Sequence, residues 1–303
     1  MGSEMCIRDS LTADQDAVRR YLFDLAPDVR LMTVHLGKTK NDMLDHQTMP
    51  MAVKTLCEEL VAAACLLSHM LKFDGEMILQ IKSSGPITMM VAECSSEGRI
   101  RSTAQWADIG DAITFEDLVG AGYLAVTVDP RQGERCQGIV PLESGSISGC
   151  LNHYFENSEQ LETKLCLASN QSTVGGLLIQ RIPKEGGQSL QEYSNWETLS
   201  TLANTITYHE LASDAGPLLI YKLFHELDPR SFDPWTIEFG CSCSKERSAR
   251  ALRALGEAEL KQLFAEQPAL TLDCHFCGQV YQYDQADLEW LLSDQPPRSD
   301  TLQ

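Results

Sequence analysis

Residues 241–278 read CSCSKERSARALRALGEAELKQLFAEQPALTLDCHFCG, with a close pair of cysteines at each end of a helix-like segment. Cys241 and Cys243 form the first pair, and Cys274 and Cys277 form the second. Four thiolates in two such pairs can converge on one tetrahedral Zn²⁺, and the same sulfurs can be oxidised as two local disulfides. The stretch therefore predicts a small C-terminal zinc unit whose sulfurs are open to redox chemistry.

The second pair has the sequence of a zinc knuckle, with two thiolates on a tight turn and Gly278 where a positive φ is convenient. A plain zinc-stapled subdomain without a regulatory role explains the spacing as well as a redox switch does. A basic run favours the switch, because its cations could keep zinc-bound sulfurs deprotonated and reactive, although it also fits an ordinary solvated helix face. That run comprises Lys245, Arg247, Arg250 and Arg253.

Zinc at such a site would also decide whether the small unit stays folded. Binding of a structural zinc ion contributes on the order of 10–16 kcal/mol to folding. Oxidation of the ligands removes most of that free energy. Loss of the metal is therefore expected to unfold the C-terminal unit locally.

The composition is that of a folded protein with more than one structural unit. The chain has 303 residues, of which 43% are hydrophobic and 22% are charged, and its formal net charge is −19. This charge repels nucleic acid and anionic lipid, so neither is an expected partner. The longest apolar run, 60–71, is too short to span a bilayer and is interrupted by Ser68 and His69. No membrane segment is expected.

The N-terminus and the scattered cysteines bear on location. The opening MGSEMCIRDS lacks the charged and apolar regions of a secretory signal, and residues 1–10 are interpreted as a non-native extension. The chain has 11 cysteines, and those outside the two C-terminal pairs have no framework spacing. This usage favours a reducing compartment, where single cysteines act as small apolar residues. The expected location is the cytoplasm.

The periodicity of the first two-thirds predicts an α+β fold with an antiparallel-sheet domain and packed helices. The segment MAVKTLCEELVAAACLLSHMLKF at 51–73 is apolar on nearly all sides in its second half, which predicts a buried helix. A strand meander is predicted after residue 77, then a second sheet-forming set from residue 122, interrupted by one helix over about 146–157. Upstream, a helix over 14–25 with Thr12 as its N-cap and a strand over 29–36 are predicted.

A break at KEGGQ, 184–188, separates the strand-rich part from a helical part. Helices are expected at 190–208 and 217–227, weakly anchored to the rest. The predicted domains are an N-terminal α+β core at 11–183, a helical linker region at 184–235, a zinc-binding redox-switch domain at 236–294 and a flexible tail at 295–303.

Motifs for catalysis are missing from the sequence. GAGYLA at 120–125 matches GxGxxA formally, but a strand follows it where a helix is required. The HE pairs at 209–210 and 225–226 lack the second histidine of HExxH. No nucleophile elbow, phosphate loop or cysteine with an evident histidine base is present. The chain is therefore predicted not to be an enzyme.

The two cysteine steps and the 30 residues between them resemble the heat-shock protein 33 family of redox-regulated holdase chaperones. The likeness covers roughly residues 17–294 and extends well beyond the cysteines. The other segments that carry it are LKFDGEMILQI with SSGP, LVGAGYLAVTVDPRQGERCQGIVPLE, YFENSEQLETKL, GGLLIQRIP and FDPWTIEFGCSCSKERSARAL.

The resemblance implies one zinc ion in the reduced form, held by Cys241, Cys243, Cys274 and Cys277. It further implies that oxidants together with unfolding stress produce Cys241–Cys243 and Cys274–Cys277 disulfides and expel the zinc. The linker region then loosens and captures unfolding client proteins without ATP, usually as a homodimer. Family members often have a further cysteine where this chain has Ser248, which leaves the four ligands intact.

Two other functions are alternatives to the holdase hypothesis. A thiol-disulfide oxidoreductase could use Cys274 and Cys277, but the βαβ surroundings of a thioredoxin-like CxxC are missing. A zinc-ribbon module could bind nucleic acid through the basic run at 245–253, which the net charge of −19 disfavours.

Overall fold

The computed structural model describes residues 5–6, 16–71, 73–159, 161–182, 195–214 and 216–293. They belong to two compact units, Met1–Gly240 and Cys241–Gln303. No helix in these ranges is long and apolar enough to cross a membrane. The predicted Thr12 cap, the break at 184–188 and the tail from 295 lie outside the described residues.

The strands of the described ranges account for most of the first unit. In chain order they are β1 (Met5–Cys6), β2 (Ala17–Phe23), β3 (Ala26–Leu36), β4 (Gly75–Ser83), β5 (Ile87–Ser95), β6 (Arg99–Trp106), β7 (Gly122–Pro130), β8 (Cys136–Pro141), β9 (Thr163–Ser169), β10 (Val174–Arg181), β11 (Pro229–Ser231), β12 (Trp235–Thr236), β13 (Glu238–Phe239), β14 (Ala269–Asp273) and β15 (Val280–Asp284).

The helices fall between these strands and after them. They are α1 (Lys38–Leu44), α2 (Met51–Met70), α3 (Phe115–Val119), α4 (Ile147–Tyr154), α5 (Trp196–Asn204), α6 (Tyr208–Asp214), α7 (Pro217–Phe224), α8 (Lys245–Arg253), α9 (Glu257–Glu266) and α10 (Leu288–Leu292). A π-helical turn follows α4 at Phe155–Glu159, and single 3₁₀ turns lie at His225–Leu227 and Gln285–Asp287. The predicted α+β class is confirmed.

Two sheets make up the first unit. One has the strand order β1-β11-β2-β3-β10-β9, with β12 also pairing with β2, and all its described pairs are antiparallel. The other has the order β13-β6-β5-β4-β7-β8, in which β13 runs parallel to β6. The predicted meander thus takes in β7 and β8, whereas β9 and β10 join β2 and β3. The prediction of two sets of strands is therefore correct, but the assignment of β7 and β8 to the second set is wrong.

The helix α2 is the centre of the main core. It packs against β4, β5 and β6 of one sheet and β3, β9 and β10 of the other. Its buried residues run almost without interruption from Leu56 to Ser68. A helix that is apolar on nearly all sides has to be enclosed on all sides, and two sheets do this here. The predicted buried helix is confirmed.

The helices α5, α6 and α7 cover the other face of the first sheet. Their apolar residues form a second core with Tyr21, Phe23, Leu31 and Ile179 of the strands. Phe224 of α7 packs edge-on against Phe23, with ring centroids 5.8 Å apart. The contributing helical residues are Leu199, Ala203, Leu211, Ala212, Leu219, Ile220 and Phe224. The described part of the predicted linker region is thus anchored more extensively than its sequence predicts.

The helix predicted over 14–25 is wrong, because this segment contains strand β2, paired with β3 in an antiparallel hairpin. Its apolar positions mimic a helical spacing, since Val18 and Leu22 are four residues apart, as are Ala17 and Tyr21. The real reason for their apolar character is that both faces are covered. Val18 packs in the main core and Tyr21 in the second core. A strand buried on both faces loses the alternation that would identify it.

The GAGYLA turn and the N-terminal residues Met5–Cys6 can also be compared with the sequence predictions. The turn at the start of GAGYLA lies between α3 and β7, and Gly120 ends α3 with a φ of 58°. The predicted strand after this turn is β7, so that prediction is confirmed. Residues Met5–Cys6, which the sequence interpretation leaves out of the fold, pair with β11.

The second unit is small. Strands β14 and β15 form an antiparallel hairpin, and α8, α9 and α10 pack with it. Its core consists of seven buried residues. They are Ala249, Leu252, Leu260, Phe264, Leu270, Tyr283 and Leu291.

Candidate metal centre

The first cysteine pair lies at the start of the second unit, just before α8. Cys241 and Cys243 are in the segment without regular secondary structure between β13 and α8. Ser244 ends this segment as the N-cap of α8, where its Oγ accepts a hydrogen bond from the Arg247 backbone N–H at 3.2 Å. The cap fixes where the helix begins, and so holds the CSC step at its N-terminal end.

The second cysteine pair lies on the turn between β14 and β15. The Cys274 N–H donates to Gln279 O at 2.9 Å, and the Gly278 N–H donates to Cys274 O at 2.7 Å. Gly278 has a φ of 68°, the left-handed conformation that glycine adopts without a steric penalty. The tight turn and the role predicted for Gly278 are therefore confirmed.

The fold brings the four predicted ligands together. Their Sγ atoms all lie within 4.8 Å of one another. Cys241 Sγ is 3.7 Å from Cys274 Sγ, and Cys243 Sγ is 3.3 Å from Cys277 Sγ. Sulfurs at the corners of a zinc tetrahedron with Zn–S bonds of about 2.3 Å are about 3.8 Å apart. The donor set and its spacing fit one tetrahedral, thiophilic metal ion.

The titration of these thiols favours the binding of a cation. Burial raises the pKa of Cys243, but hydrogen bonds from Tyr281 and the other three cysteines outweigh it, so the pKa lies below the usual value. Burial raises the pKa of Cys277 well above the usual value, and its sulfur neighbours raise it further. One thiolate thus forms readily and opposes ionisation of the next, because like charges repel. A bound cation would remove that repulsion and allow all four to ionise.

The basic run after the first pair has other partners than the sulfurs. Lys245 Nζ lies 2.9 Å from an Asp287 carboxylate oxygen, and Arg253 Nη2 donates to Trp290 O at 3.1 Å. Arg247 Nη1 donates to the backbone oxygen of Ser242, between the two cysteines, at 2.8 Å. These contacts fasten α8 to the rest of the small unit. Three of the four cations thus have a structural role, and stabilisation of the sulfur charge by the basic run stays a prediction.

Sequence reasoning missed Tyr281, which contacts a sulfur directly. Its Oη donates a hydrogen bond to Cys243 Sγ at 3.1 Å. The signal was the alternation of VYQYD in β15, which places Tyr281 and Tyr283 on the same face of the strand. Tyr283 is fully buried, and its Oη donates to Lys245 O at 2.7 Å. One strand face thus orders both the sulfurs and the start of α8.

The other described cysteines lie apart from this cluster. Cys57, Cys65, Cys94 and Cys150 are buried in the first unit, and Cys136 is exposed. The four buried thiols behave as the small apolar residues that were predicted.

Comparisons with known proteins agree with this picture. The family model described as Hsp33 protein matches residues 16–284. The 33 kDa chaperonin of Neisseria gonorrhoeae is 39% identical over 283 residues, which is 92% of each chain. The 33 kDa chaperonin of Pseudomonas aeruginosa is also 39% identical, over 92% of this chain and 95% of its own.

A solved structure supports the fold. The 33 kDa chaperonin, or heat shock protein 33 homologue, of Thermotoga maritima superposes with a TM-score of 0.75, covering 91% of this chain and 98% of that one. Its sequence identity is 23%, so this likeness bears on the fold alone. The family match spans the strands from β2 to β13 in the first unit and all four cysteines of the second. The chain belongs to the Hsp33 family.

Proposed function

We propose that this protein is a redox-regulated, ATP-independent holdase chaperone, which binds unfolding proteins after its four clustered cysteines are oxidised. The family membership supports a chaperone rather than an enzyme. The observation that carries the regulatory part is the convergence of four sulfurs within 4.8 Å in a unit with only a small core. The same four sulfur atoms would then hold the metal and react with the oxidant.

The metal of the reduced form is one zinc ion, held by Cys241, Cys243, Cys274 and Cys277. Four thiolates without a histidine or carboxylate in the set are typical of a closed structural zinc site. The seven buried residues of the second unit supply little hydrophobic stabilisation for a segment of this length. Metal binding, worth about 10–16 kcal/mol in folding, would supply the rest.

Oxidation would pair the sulfurs as Cys241–Cys243 and Cys274–Cys277, as the family resemblance implies. In the folded unit the shortest sulfur distances join the two motifs instead, at 3.7 and 3.3 Å. Oxidation of the first thiolate would take one of the four sulfurs out of the ligand set, and the two motifs could then separate. Sulfurs within one motif remain close because the chain itself joins them, and this proximity favours the local pairs.

The segment from 184 to 235 is the proposed source of the client-binding surface. Its described helices α5, α6 and α7 cover an apolar sheet face, so release would expose both that face and the helices' own apolar side chains. Downstream of α7 lie the strands β11, β12 and β13, with three, two and two residues. Such short strands fray easily. The last of them ends at Phe239, two positions before Cys241, so unfolding of the second unit could be transmitted along the chain to this segment.

The proposed function also specifies the location and the partners of the protein. Clients are unfolding proteins in the cytoplasm, and the oxidised form is expected to be a homodimer. Nucleic acid is not an expected partner, because the net charge of −19 opposes it. An oxidoreductase activity lacks support as well, since Cys274 and Cys277 lie on a hairpin turn between β14 and β15. A thioredoxin-like CxxC would instead open a helix.

The deciding experiment compares the reduced, zinc-loaded protein with the oxidised protein. Aggregation of a thermally unfolding client is followed by light scattering, while a chromogenic chelator reports zinc release. The reduced form should leave aggregation unchanged, and the peroxide-treated form should suppress it in step with the release of one zinc per chain. Equal suppression by both forms would contradict the switch. Disulfide mapping by mass spectrometry tests the pairing separately.

A further inference from the structure

A cavity of about 300 Å³ opens in the first unit, at the C-terminal end of α2 and beside β4, β7 and β8. This volume is at the lower end of the range of small-molecule sites. The polar side chains of Arg30 in β3, Gln137 in β8, Tyr154 in α4 and Gln180 in β10 lie in its wall. The apolar wall includes Leu67, Met70, Met77, Val126, Val128 and Phe155.

The Arg30 guanidinium is held in a fixed orientation. Its Nε donates to Gln180 Oε1 at 3.0 Å, and its Nη2 donates to the same oxygen. Gln180 is 1% exposed, and its Nε2 donates to Thr163 Oγ1 at 2.9 Å, which fixes the direction of the amide. Because both groups are oriented in advance, little side-chain entropy would be lost when a ligand binds.

The guanidinium retains hydrogen-bonding capacity. Besides the two bonds to Gln180, Nη1 donates to Met70 O at a long 3.5 Å. A guanidinium has five N–H groups, so about two remain without an acceptor among the described residues. The weak contact to Met70 O caps the end of α2. This capping role does not require the two further N–H donors that Arg30 presents beside an apolar cavity.

The charge of Arg30 also lacks a counter-ion among the described residues. The described carboxylates form no ion pair with it, and burial together with the nearby Arg20 lowers its pKa. A half-buried cation beside a second cation is costly unless an anion compensates for the lost hydration. Because the net charge of −19 opposes the approach of an anion, an anionic ligand would have to gain its affinity locally, from Arg30 and the apolar wall.

We propose that the cavity binds an amphipathic monocarboxylate of the size of a medium-chain fatty acid. The carboxylate would lie against Arg30, whose planar fork matches two carboxylate oxygens. The alkyl chain would lie along Met70, Met77, Val126 and Val128. The volume of about 300 Å³ excludes a folded partner and suits one such chain. This site is separate from the cysteine cluster, so the inference does not depend on the proposed holdase function.

The test uses the reduced, zinc-loaded full chain and sodium decanoate below its micelle concentration. Calorimetry measures the affinity, and ¹³C-methyl methionine NMR reports the location. Saturable binding at one site per chain is expected, with shifts of the Met70 and Met77 methyl signals but not of the exposed Met51. Decanol, which has the same chain without the charge, should bind at least about tenfold more weakly, because it cannot form the charge-assisted pair.

Two variants test the two halves of the site. Arg30→Gln removes the charge, and Val128→Phe fills the cavity without changing Arg30. Each should weaken decanoate binding at least about tenfold, while Arg131→Gln, a change at an exposed arginine, should leave it unchanged. Thermal unfolding checks that the variants fold. If Arg30→Gln does not fold, the affinity of Val128→Phe for decanoate decides the test. Unchanged affinity in the folded variants, equal binding of decanol, or no saturable binding would overturn the proposal.

Discussion

Tyr281 Oη donates a hydrogen bond to Cys243 Sγ at 3.1 Å, so a neutral hydroxyl contacts the cluster. A donor to a thiolate withdraws electron density and makes the sulfur less nucleophilic, and it also orients the sulfur toward the metal. This one bond should therefore slow oxidation and strengthen metal binding together.

Replacing Tyr281 with Phe should remove that bond without removing the ring. We expect zinc affinity to fall roughly tenfold or more, as for other outer-shell partners of metal ligands. Zinc release under a fixed peroxide concentration should be faster. Chelator competition measures the affinity, and a stopped-flow chelator assay measures the rate. Tyr123→Phe, a change at an exposed tyrosine of the first unit, is the control. Identical rates in both variants would mean that Tyr281 does not tune the sulfur.

Replacing Cys274 with Ser should abolish stoichiometric zinc binding, because a hydroxyl is a poor ligand for the metal at neutral pH. The second unit should then lose its protection in hydrogen exchange, since its core alone is small. Cys136→Ser removes an exposed thiol outside the cluster and should retain one zinc per chain. A Cys274→Ser protein with full zinc content would rule out the ligand assignment.

The burial of the Glu59 carboxyl predicts a pH dependence of stability. Tyr208 Oη donates to Glu59 Oε1 at 3.1 Å, and burial raises the pKa of Glu59 to about 7. The folded state thus holds a proton that the unfolded chain releases near its ordinary value of 4.5. The free energy of unfolding should therefore fall as pH rises from about 4.5 to about 7, by roughly 3 kcal/mol from this group, and level off above that.

Urea unfolding of the zinc-loaded protein between pH 5 and pH 8 measures this effect. Glu59→Gln should flatten the dependence, because the amide mimics the protonated acid and does not titrate. Glu197→Gln, at an exposed position of α5, should retain the wild-type slope. A Glu59→Gln profile as steep as that of the wild type would assign the dependence to other groups, such as the buried Glu58 beside Lys40.

Loosening α7 should produce holdase activity without oxidant. Phe224 is fully buried against Phe23, so Phe224→Ala is expected to cost about 3–5 kcal/mol in packing. Client aggregation should then be partly suppressed by the reduced protein with its zinc retained. Tyr221→Ala changes the same helix at a residue that is 39% exposed and should remain inactive until oxidised. If zinc-loaded Phe224→Ala unfolds this helix yet suppresses nothing, the client surface lies elsewhere.

The sequence was most informative where one requirement dominates. Four sulfurs can serve one metal only at suitable spacing, and the apolar α2 can lie only inside a core, so both were predictable. β2 was not, because Val18 and Tyr21 face different cores and their spacing imitates a helix. Lys245 contacts Asp287, 42 positions further along the chain, and Cys243 contacts Tyr281, 38 positions further along. Such long-range pairings leave no local pattern in the chain.

The cross-motif neighbours in the cluster have a topological consequence. With a metal bound, the sulfurs would tie together positions 33 and 34 residues apart and so close a long loop. The proposed disulfides would close rings of only three and four residues. Restraint of a chain grows with the length of the loop that a crosslink closes. Oxidation would thus add two covalent bonds and yet leave the polypeptide freer than before, so that entropy favours the active form once the metal has gone.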